Sequence, residues 1–185
     1  MAKTLNRKLL DAAEKGDVNR IKTLVAQGAS VDCKDINGYT PLLSASLEGH
    51  VDACRALIEA GASIEATTKK AEGTIHLAAT CGNLDVLELM YQLGVSLNSK
   101  DRFGNTPLMD AVGSFEVEVA KWLLDHGAEV NAVGSYGSTA LHLAYAMSPN
   151  YAKEGGSPFI PLLEKYGADK TIVDQFGRVP TDLPL

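Results

Sequence analysis

Cysteine and positive charge are both scarce in this sequence. Its 185 residues include three cysteines, Cys33, Cys54 and Cys81, which are too few for a disulfide framework. We therefore expect a reducing compartment, the cytoplasm, with the nucleus or delivery into a host cell left open. The formal net charge is −6. This argues against a nucleic-acid partner, because such proteins neutralise phosphates with Lys and Arg.

Long apolar runs are absent as well. No stretch approaches the roughly 20 apolar residues that a membrane-spanning helix needs, so we expect no membrane partner. The first residues, MAKTLNRKLLDAAEKGD, lack the apolar core of a secretory signal peptide. We therefore expect no such signal.

Motifs for catalysis and for cofactor binding are also missing. The sequence contains no P-loop, no G-x-G-x-x-G and no H-E-x-x-H. No pairing of a nucleophile with a base can be assembled from its spacing. The expectation is a protein that is not an enzyme and that uses no cofactor and no metal.

One pattern of turn formers and apolar residues occurs twice. The stretch DRFGNTPLMDA at 101–111 is similar to DINGYTPLLSA at 35–45. Gly104 predicts a tight turn, Thr106 a helix N-cap whose hydroxyl accepts from a backbone N–H, and Pro107 the first helical position. Each copy therefore predicts a turn and then the start of a short helix.

A column of glycines gives the period of the repeat. Successive members are 33, 33, 33 and 40 residues apart: Gly28, Gly61, Gly94, Gly127 and Gly167. Each follows an apolar pattern of helical spacing, so each is predicted to end a helix. Every unit then contains two short helices and a turn, and helices this short need neighbours to be stable.

These columns identify a family resemblance. The segments TPLL, TIHLAA, TPLMDA and TALHLA recur in register, and a period of 33 residues with T-P-L-H-x-A is typical of ankyrin repeats. From about Leu5 to Asp182 the chain resembles an ankyrin-repeat protein. The resemblance implies an all-α solenoid of stacked helix–turn–helix units with projecting β-turns, comprising about five repeats and a truncated C-terminal cap.

The repeat columns also set the expected boundaries. We expect one ankyrin-repeat domain over 1–185. Its units would be an N-terminal cap repeat and five further segments: 1–33, 34–66, 67–99, 100–132, 133–172 and the partial C-terminal cap 173–185. The 133–172 unit contains an insertion at 148–158, SPNYAKEGGSP, whose Pro and Gly residues predict a loop. It is either a tolerated surface insertion or a contact loop.

The turn of the third unit departs from the pattern. In TTKKAEGTIH, Thr68 occupies the column of Asp35, and Ala71 occupies the column of Gly38. Aspartate and glycine both favour tight turns. The sequence therefore leaves the shape of the turn at 67–74 open.

The four histidines have explanations that involve no chemistry. His76 and His142 occupy the histidine column of the repeat, where the resemblance implies a structural role of bonding turn backbone. His50 begins a second helix and His126 ends one. Cys81 falls near the exposed end of a first helix, and repeat spacing gives it no histidine partner. No catalytic or metal-ligating residue is predicted.

Function is then expected from the turn tips and the first helices, which stacked repeats present as one surface. Phe103, Tyr136 and Phe176 share one tip column, and four basic residues lie on two neighbouring tips. The predicted protein-binding residues are Tyr39, Lys69, Lys70, Lys100, Arg102, Phe103, Asp110, Tyr136 and Phe176. Asp110 is included because it occupies a leucine column of the first helices.

Each of these residues also has an interpretation without binding. The aromatic rings could pack on the neighbouring turn and stabilise the stack, and the lysines could be ordinary solvated charges. Aromatic residues and Arg are nevertheless enriched where proteins bind each other. Both interpretations stay open at the level of sequence.

The resulting hypothesis is a non-catalytic protein–protein interaction module, an adaptor or scaffold. Its partner would be a protein with an acidic and partly apolar surface, and the chain itself would be a monomer. The alternative is a dedicated inhibitor or regulatory subunit of one enzyme, with the loop at 148–158 as a blocking element. One-to-one binding with loss of the partner's activity would distinguish the two.

Overall fold

The computed structural model describes residues 2–147 and 157–183. Within these residues every regular element is helical and there is no strand. The α-helices are α1 (Ala2–Glu14), α2 (Val18–Ala26), α3 (Pro41–Leu47), α4 (Val51–Glu59), α5 (Thr74–Thr80), α6 (Leu84–Gln92), α7 (Pro107–Gly113), α8 (Val117–Asp125), α9 (Ala140–Ala146) and α10 (Phe159–Lys165). Short 3-10 turns occupy Ser135–Gly137 and Pro180–Asp182. Of the predicted insertion, 148–156 lies outside the described residues.

The chain divides into two compact units, Met1–Ser96 and Leu97–Leu185. In the first unit, α3 packs between α1 and α5, while α4 packs between α2 and α6. In the second unit, α7 packs on α9 and on α8, and α10 packs on both α8 and α9. Each unit is thus a stack of helix pairs. The repeat boundaries predicted from sequence stay predictions.

Small residues set the distance between neighbouring first helices. Ala45 on α3 and Ala78 on α5 are fully buried, as are Ala111 on α7 and Ala144 on α9. A methyl side chain at each of these points lets two helices approach closely. Larger buried side chains fill the remaining space. Burying each of them stabilises the folded state by about 1.5–3 kcal/mol relative to leaving it in water.

The predicted helix ends are present, with one correction. Thr40 is the N-cap residue of α3, and its hydroxyl accepts from the N–H of Leu43 at 3.3 Å. Thr106 is the N-cap residue of α7 and Pro107 its first residue, as expected, but the buried hydroxyl of Thr106 makes no hydrogen bond. The glycine column lies just beyond the second helices with positive φ, as helix-ending residues do.

The five turn tips, 34–39, 67–72, 100–105, 133–138 and 173–178, share one backbone pattern. In the first tip the N–H of Asp35 donates to the carbonyl of Tyr39, and the N–H of Gly38 donates back to that of Asp35. The same two bonds, in register, close the other four tips.

The irregular tip at 67–72 keeps this shape with different residues. The Thr68 hydroxyl accepts the N–H groups of Lys70 and Glu72, where the Asp35 carboxylate accepts those of Asn37 and Tyr39. Ala71 has a φ of 60° in the place of Gly38 at 90°. A hydroxyl oxygen thus replaces the carboxylate oxygen, and the residue in the column of Gly38 keeps a positive φ. The tip therefore has the same backbone pattern as the others, although Ala71 is strained there.

Gly38 and Ala71 therefore allow reciprocal substitutions. Gly38→Ala is expected to destabilise the protein by about 1–2 kcal/mol, because a Cβ is disfavoured at positive φ. In addition, that Cβ would lie 2.9 Å from the backbone nitrogen of Lys69. Ala71→Gly should instead stabilise the protein, by up to about 1 kcal/mol, because it removes strain.

Urea unfolding followed by circular dichroism measures both effects. Gly61→Ala is the matched control for crowding, because Gly61 has the same φ of 90° but no atom within 4 Å of the added Cβ. We expect Gly38→Ala to be the more damaging change. Equal losses at both sites would show that tip packing does not limit position 38.

Candidate protein-binding surface

The predicted binding residues fall into both units. Tyr39, Lys69 and Lys70 belong to the first unit. The second unit holds Lys100, Arg102, Phe103, Asp110, Tyr136 and Phe176. The two sets are described separately, and the predicted cluster of four basic residues across two tips stays a prediction.

In the first unit, Tyr39, Lys69 and Lys70 line one shallow groove of about 340 Å³, together with Glu72. Lys69 is exposed, whereas the Lys70 ammonium lies 3.8 Å from the Glu72 carboxylate. Burial and then the charges of Glu72 and Asp35 raise the pKa of Tyr39. The groove therefore carries little net charge, since Glu72 offsets one of the two lysines.

In the second unit, the predicted aromatic residues are largely in solvent. Phe103 is 54% exposed, Tyr136 69% and Phe176 65%. We call these three residues the aromatic row. Rings that served to pack neighbouring turns would be mostly covered. Their exposure favours a binding role over the packing interpretation.

Hydrogen bonds fix the backbone of the aromatic row. The Ser135 hydroxyl donates to the carbonyl of Phe103 at 3.1 Å, and the N–H of Gln175 donates to the carbonyl of Tyr136 at 2.8 Å. The N–H groups of Phe103 and Phe176 are bound by side-chain carboxylates of their own tips. The rings therefore stand on a backbone that is already ordered before any partner binds.

The tip at 133–138 differs from its neighbours. It has Gly134 in the aspartate column, so no carboxylate accepts the N–H groups two and four residues further on. The N–H of Ser138 binds the carbonyl of Ser135, and Asn105 of the preceding tip accepts the N–H of Ser135. Tyr136 has a φ of 57°, a strained conformation for an aromatic residue. Strain of this kind persists only where the surroundings impose it, and it is concentrated at functional sites.

Two arginines lie over the end members of the aromatic row. The guanidinium carbon of Arg102 is 5.1 Å from the ring centre of Phe103, and that of Arg178 is 4.8 Å from Phe176. Such cation–π contacts are favourable by about 0.5–1 kcal/mol at exposed sites. Arg178 was not among the predicted binding residues, although its place two residues after Phe176 in the same tip could have suggested the contact.

The two arginines differ in their acidic partners. Arg178 binds the Asp174 carboxylate through two nitrogens, at 2.7 and 2.9 Å. Arg102 is exposed and pairs with no carboxylate within residues 2–147 and 157–183. Its guanidinium edge is therefore available to an acidic group of a partner.

The two remaining predicted residues of the second unit are Lys100 and Asp110. The Lys100 ammonium donates to the carbonyl of Val133 at 2.8 Å, which ties two tips together. Lys34 makes the equivalent but longer contact, 3.5 Å, with Thr67. Asp110 is half-buried on α7. Lys100 thus supports the tips as well as contributing positive charge.

Three exposed apolar residues of the turn tips are not among the predicted binding residues. Ile36 in the first unit is 83% exposed, and Val133 and Val173 in the second unit are exposed beside the aromatic row. Val133 and Val173 occupy the column of Lys34 and Lys100. Reading that column for apolar residues, rather than for charge, would have found them.

The buried histidine His142 bonds the turn backbone. Its Nδ1 accepts the N–H of Thr139 at 3.1 Å, so its Nε2 is the donor toward the carbonyl of Arg178, also at 3.1 Å. The bond joins α9 to the following tip, which is the structural role that the resemblance implied. Among the described residues there is no cluster of His, Cys, Asp and Glu that could hold a metal ion.

The cysteines differ in accessibility. Cys33 and Cys54 are buried, whereas Cys81 is exposed, and none forms a disulfide. Burial raises the pKa of Cys54 to about 11 against the effect of its Ser46 hydrogen bond. Thiolates are the reactive form of cysteine, so Cys54 is protected twice.

Native thiol labelling is therefore expected to modify one cysteine of three. A chromogenic disulfide reagent at about pH 8, near the ordinary thiol pKa, should react rapidly with Cys81. The other two should react only as the protein unfolds. Cys81→Ser should abolish the fast phase, and rapid loss of two or more thiols in the native protein would contradict this burial pattern.

Asp174 gives a pH prediction. Its side chain is 1% exposed, and burial opposes its charge, but hydrogen bonds from the side chain and backbone of Arg178 and from the N–H of Phe176 lower its pKa to about 2. Because the folded-state pKa is lower than the unfolded value of about 4, the charged carboxylate stabilises the fold above pH ~4. That contribution is lost as the pH falls from about 4 towards 2.

Urea unfolding of wild type and Asp174→Asn across this pH range tests the assignment. The wild-type protein should be the more stable at pH 7, and the difference should shrink as the pH falls toward 2. Asp182→Asn, an exposed carboxylate of the same unit, is the control. A difference that stays constant with pH would show that Asp174 does not titrate in this way.

No helix within the described residues is both long and apolar enough to cross a membrane. A comparison with curated proteins gives no significant match. The family model described as ankyrin repeats (3 copies) matches two overlapping ranges, 9–101 and 75–174, which together cover most of the chain. The predicted all-α repeat fold is confirmed by this match and by the helix pairs of both units. The chain belongs to the ankyrin-repeat family.

Proposed function

We propose that this protein is a non-catalytic protein-binding module that engages its partner through the turn tips and the first helices. Ankyrin repeats generally mediate protein–protein interactions. The observation that best supports the proposal is the aromatic row, three rings that are each more than half exposed on fixed backbone. Exposed aromatic residues on an ordered scaffold are typical of interface hot spots.

The proposed partner is a protein whose surface is acidic and partly apolar. Arg102 supplies a positive charge that pairs with no carboxylate in the described part of the chain, and Val133 and Val173 extend the apolar area around the rings. Lys69 offers a second positive charge on the first unit. In a chain of net charge −6, such local positive charge would steer the approach of an acidic partner, and salt would weaken it.

The proposed role is that of an adaptor or scaffold, acting as a monomer in the cytoplasm. Three cysteines without a disulfide support a reducing compartment. The inhibitor alternative depends on the insertion at 148–158, of which only Ser157 and Pro158 are among the described residues. No described contact favours that alternative over the adaptor.

Affinity capture from native lysate, followed by mass spectrometry, tests the proposed function. The variant Arg102→Glu/Phe103→Ala should lose the partner that the wild type captures, because it removes both the charge and the ring at one tip. The matched control is Arg55→Glu/Phe115→Ala, an arginine and an exposed phenylalanine away from the tips. It should retain the partner.

The same capture experiment is repeated at several salt concentrations. Capture by the wild type should weaken between about 50 and 500 mM salt, where the screening length falls below the reach of surface charges. Circular dichroism confirms that all proteins are folded. A partner that both variants and the wild type capture equally would move the binding surface away from the tips.

A further inference from the structure

The tip at 34–39 contains a chemically reactive pair of residues, Asn37 followed by Gly38. The side-chain amide carbon of an asparagine can be attacked by the backbone nitrogen of the next residue. Glycine allows this attack best, because it has no side chain to obstruct the approach and the widest choice of backbone conformations. No other asparagine of the chain precedes a glycine.

The side-chain amide of Asn37 is also exposed and uncommitted. It makes no hydrogen bond within residues 2–147 and 157–183. Five other asparagines use their side chains to bond backbone groups of distant residues: Asn6, Asn83, Asn98, Asn105 and Asn131. Asn19 is exposed as well, but it precedes Arg20 within α2. Among the described asparagines, Asn37 therefore combines exposure, an unbound amide and a following glycine.

Hydrogen bonds hold the attacking nitrogen while the tip is closed. The N–H of Gly38 donates to the carbonyl of Asp35 at 3.2 Å, and the N–H of Asn37 donates to the Asp35 carboxylate at 2.8 Å. The carbonyl of Asn37 accepts the N–H of Lys69 at 3.0 Å. The Gly38 nitrogen must leave its partner before it can attack, so the reaction requires the tip to open. Surface loops open locally at a lower free energy than the whole fold.

The reaction needs only water as a co-reactant. The Gly38 nitrogen forms a bond to the side-chain amide carbon of Asn37, and ammonia leaves with the proton of that nitrogen, which closes a cyclic imide. Water then opens the ring at either of its carbonyls. The products are an aspartate or an isoaspartate, in which the backbone runs through the former side chain. Each product carries a new negative charge.

The closed tip cannot accommodate the isoaspartate product. That product adds a carbon atom to the backbone just before Gly38. The contact with the next tip is already so close that a Cβ on Gly38 would lie 2.9 Å from the backbone nitrogen of Lys69. Asn37 also lines the groove that contains Lys69 and Lys70. Either product therefore places a carboxylate beside these lysines.

We propose that Asn37 is a deamidation site of this protein and that the hydrogen bonds of its tip control the rate. The opened tip is the reactive state, and the closed tip is protected because the Gly38 nitrogen stays bonded to Asp35. Conversion makes the groove of the first unit more acidic and, in the isoaspartate form, prevents the tip from closing as it does now. This inference does not depend on the proposed binding function.

Incubation at mildly alkaline pH, followed by peptide mapping with mass spectrometry, tests the site. The folded protein is compared with the protein unfolded in guanidinium, and an isoaspartyl methyltransferase detects the isoaspartate. Asn37 should be the fastest asparagine to react in the unfolded chain and should react more slowly in the folded protein. Asn19 is the exposed comparison residue and should stay unmodified. Asn37→Gln should lose the fast product.

Two variants separate the chemistry from its control by the tip. In the unfolded chain, Gly38→Ala should slow the reaction several-fold, because the methyl group obstructs the attack, whereas Asp35→Ala should leave the rate unchanged. In the folded protein, Asp35→Ala should accelerate the reaction about tenfold, because it removes the two hydrogen bonds that the carboxylate accepts from Asn37 and Tyr39. Asp101→Ala, which removes the same bonds from another tip, is the matched control.

Each part of the inference has an outcome that would overturn it. Faster reaction at another asparagine than at Asn37 in the unfolded chain would remove the site. A folded protein that reacts as fast as the unfolded chain, or whose rate Asp35→Ala leaves unchanged, would remove the control by the tip. Equal acceleration by Asp35→Ala and Asp101→Ala would assign the reaction to global unfolding and not to local opening. Circular dichroism confirms that both variants are folded before the comparison.

Discussion

The candidate binding surface depends on one interaction that four of the five tips share. A side-chain oxygen near the start of the tip accepts backbone N–H groups of the same tip. The carboxylates of Asp35, Asp101 and Asp174 each accept the backbone N–H groups two and four residues further on, and the hydroxyl of Thr68 does the same. These bonds close a tight turn within a few residues. In these four tips the closure orders the backbone from which the side chains project.

The fifth case, the tip at 133–138, shows what replaces that oxygen when it is absent. Gly134 contributes no side chain there, and a Cβ at this position would lie 2.5 Å from the sulfur of Met109. The neighbouring tips take over, because Asn105 accepts from Ser135 and the N–H of Gln175 binds the carbonyl of Tyr136. The backbone beneath the most exposed ring is thus bonded to the neighbouring tips, while Tyr136 has a positive φ that residues with a Cβ disfavour.

Other polar side chains near the tips are used in hydrogen bonds within the fold. His142 uses both ring nitrogens on backbone partners, and the carboxylate of Asp174 is committed to the turn and to Arg178. Groups of this kind stabilise the stack. Arg102, by contrast, pairs with no carboxylate among the described residues, and the aromatic row is mostly in solvent.

The sequence by itself determined the helix pairs, their period and the columns that contain the tip residues, because local turn chemistry and helical periodicity repeat every unit. It could not decide whether Phe103, Tyr136 and Phe176 were covered, whether Thr68 and Ala71 would keep the turn shape, or which arginine had an acidic partner. The first answer depends on contacts between residues 30 or more positions apart, such as Ser135 with Phe103 and Tyr136 with Gln175. The other two depend on the folded geometry of single tips, where the bonds of Thr68 and the pair of Arg178 with Asp174 join residues two to four positions apart. The long-range contacts exist only after neighbouring repeats stack, so the tertiary structure decided that the rings lie in solvent. The folded geometry of each tip decided that Arg178 pairs with a carboxylate, whereas Arg102 pairs with none among the described residues.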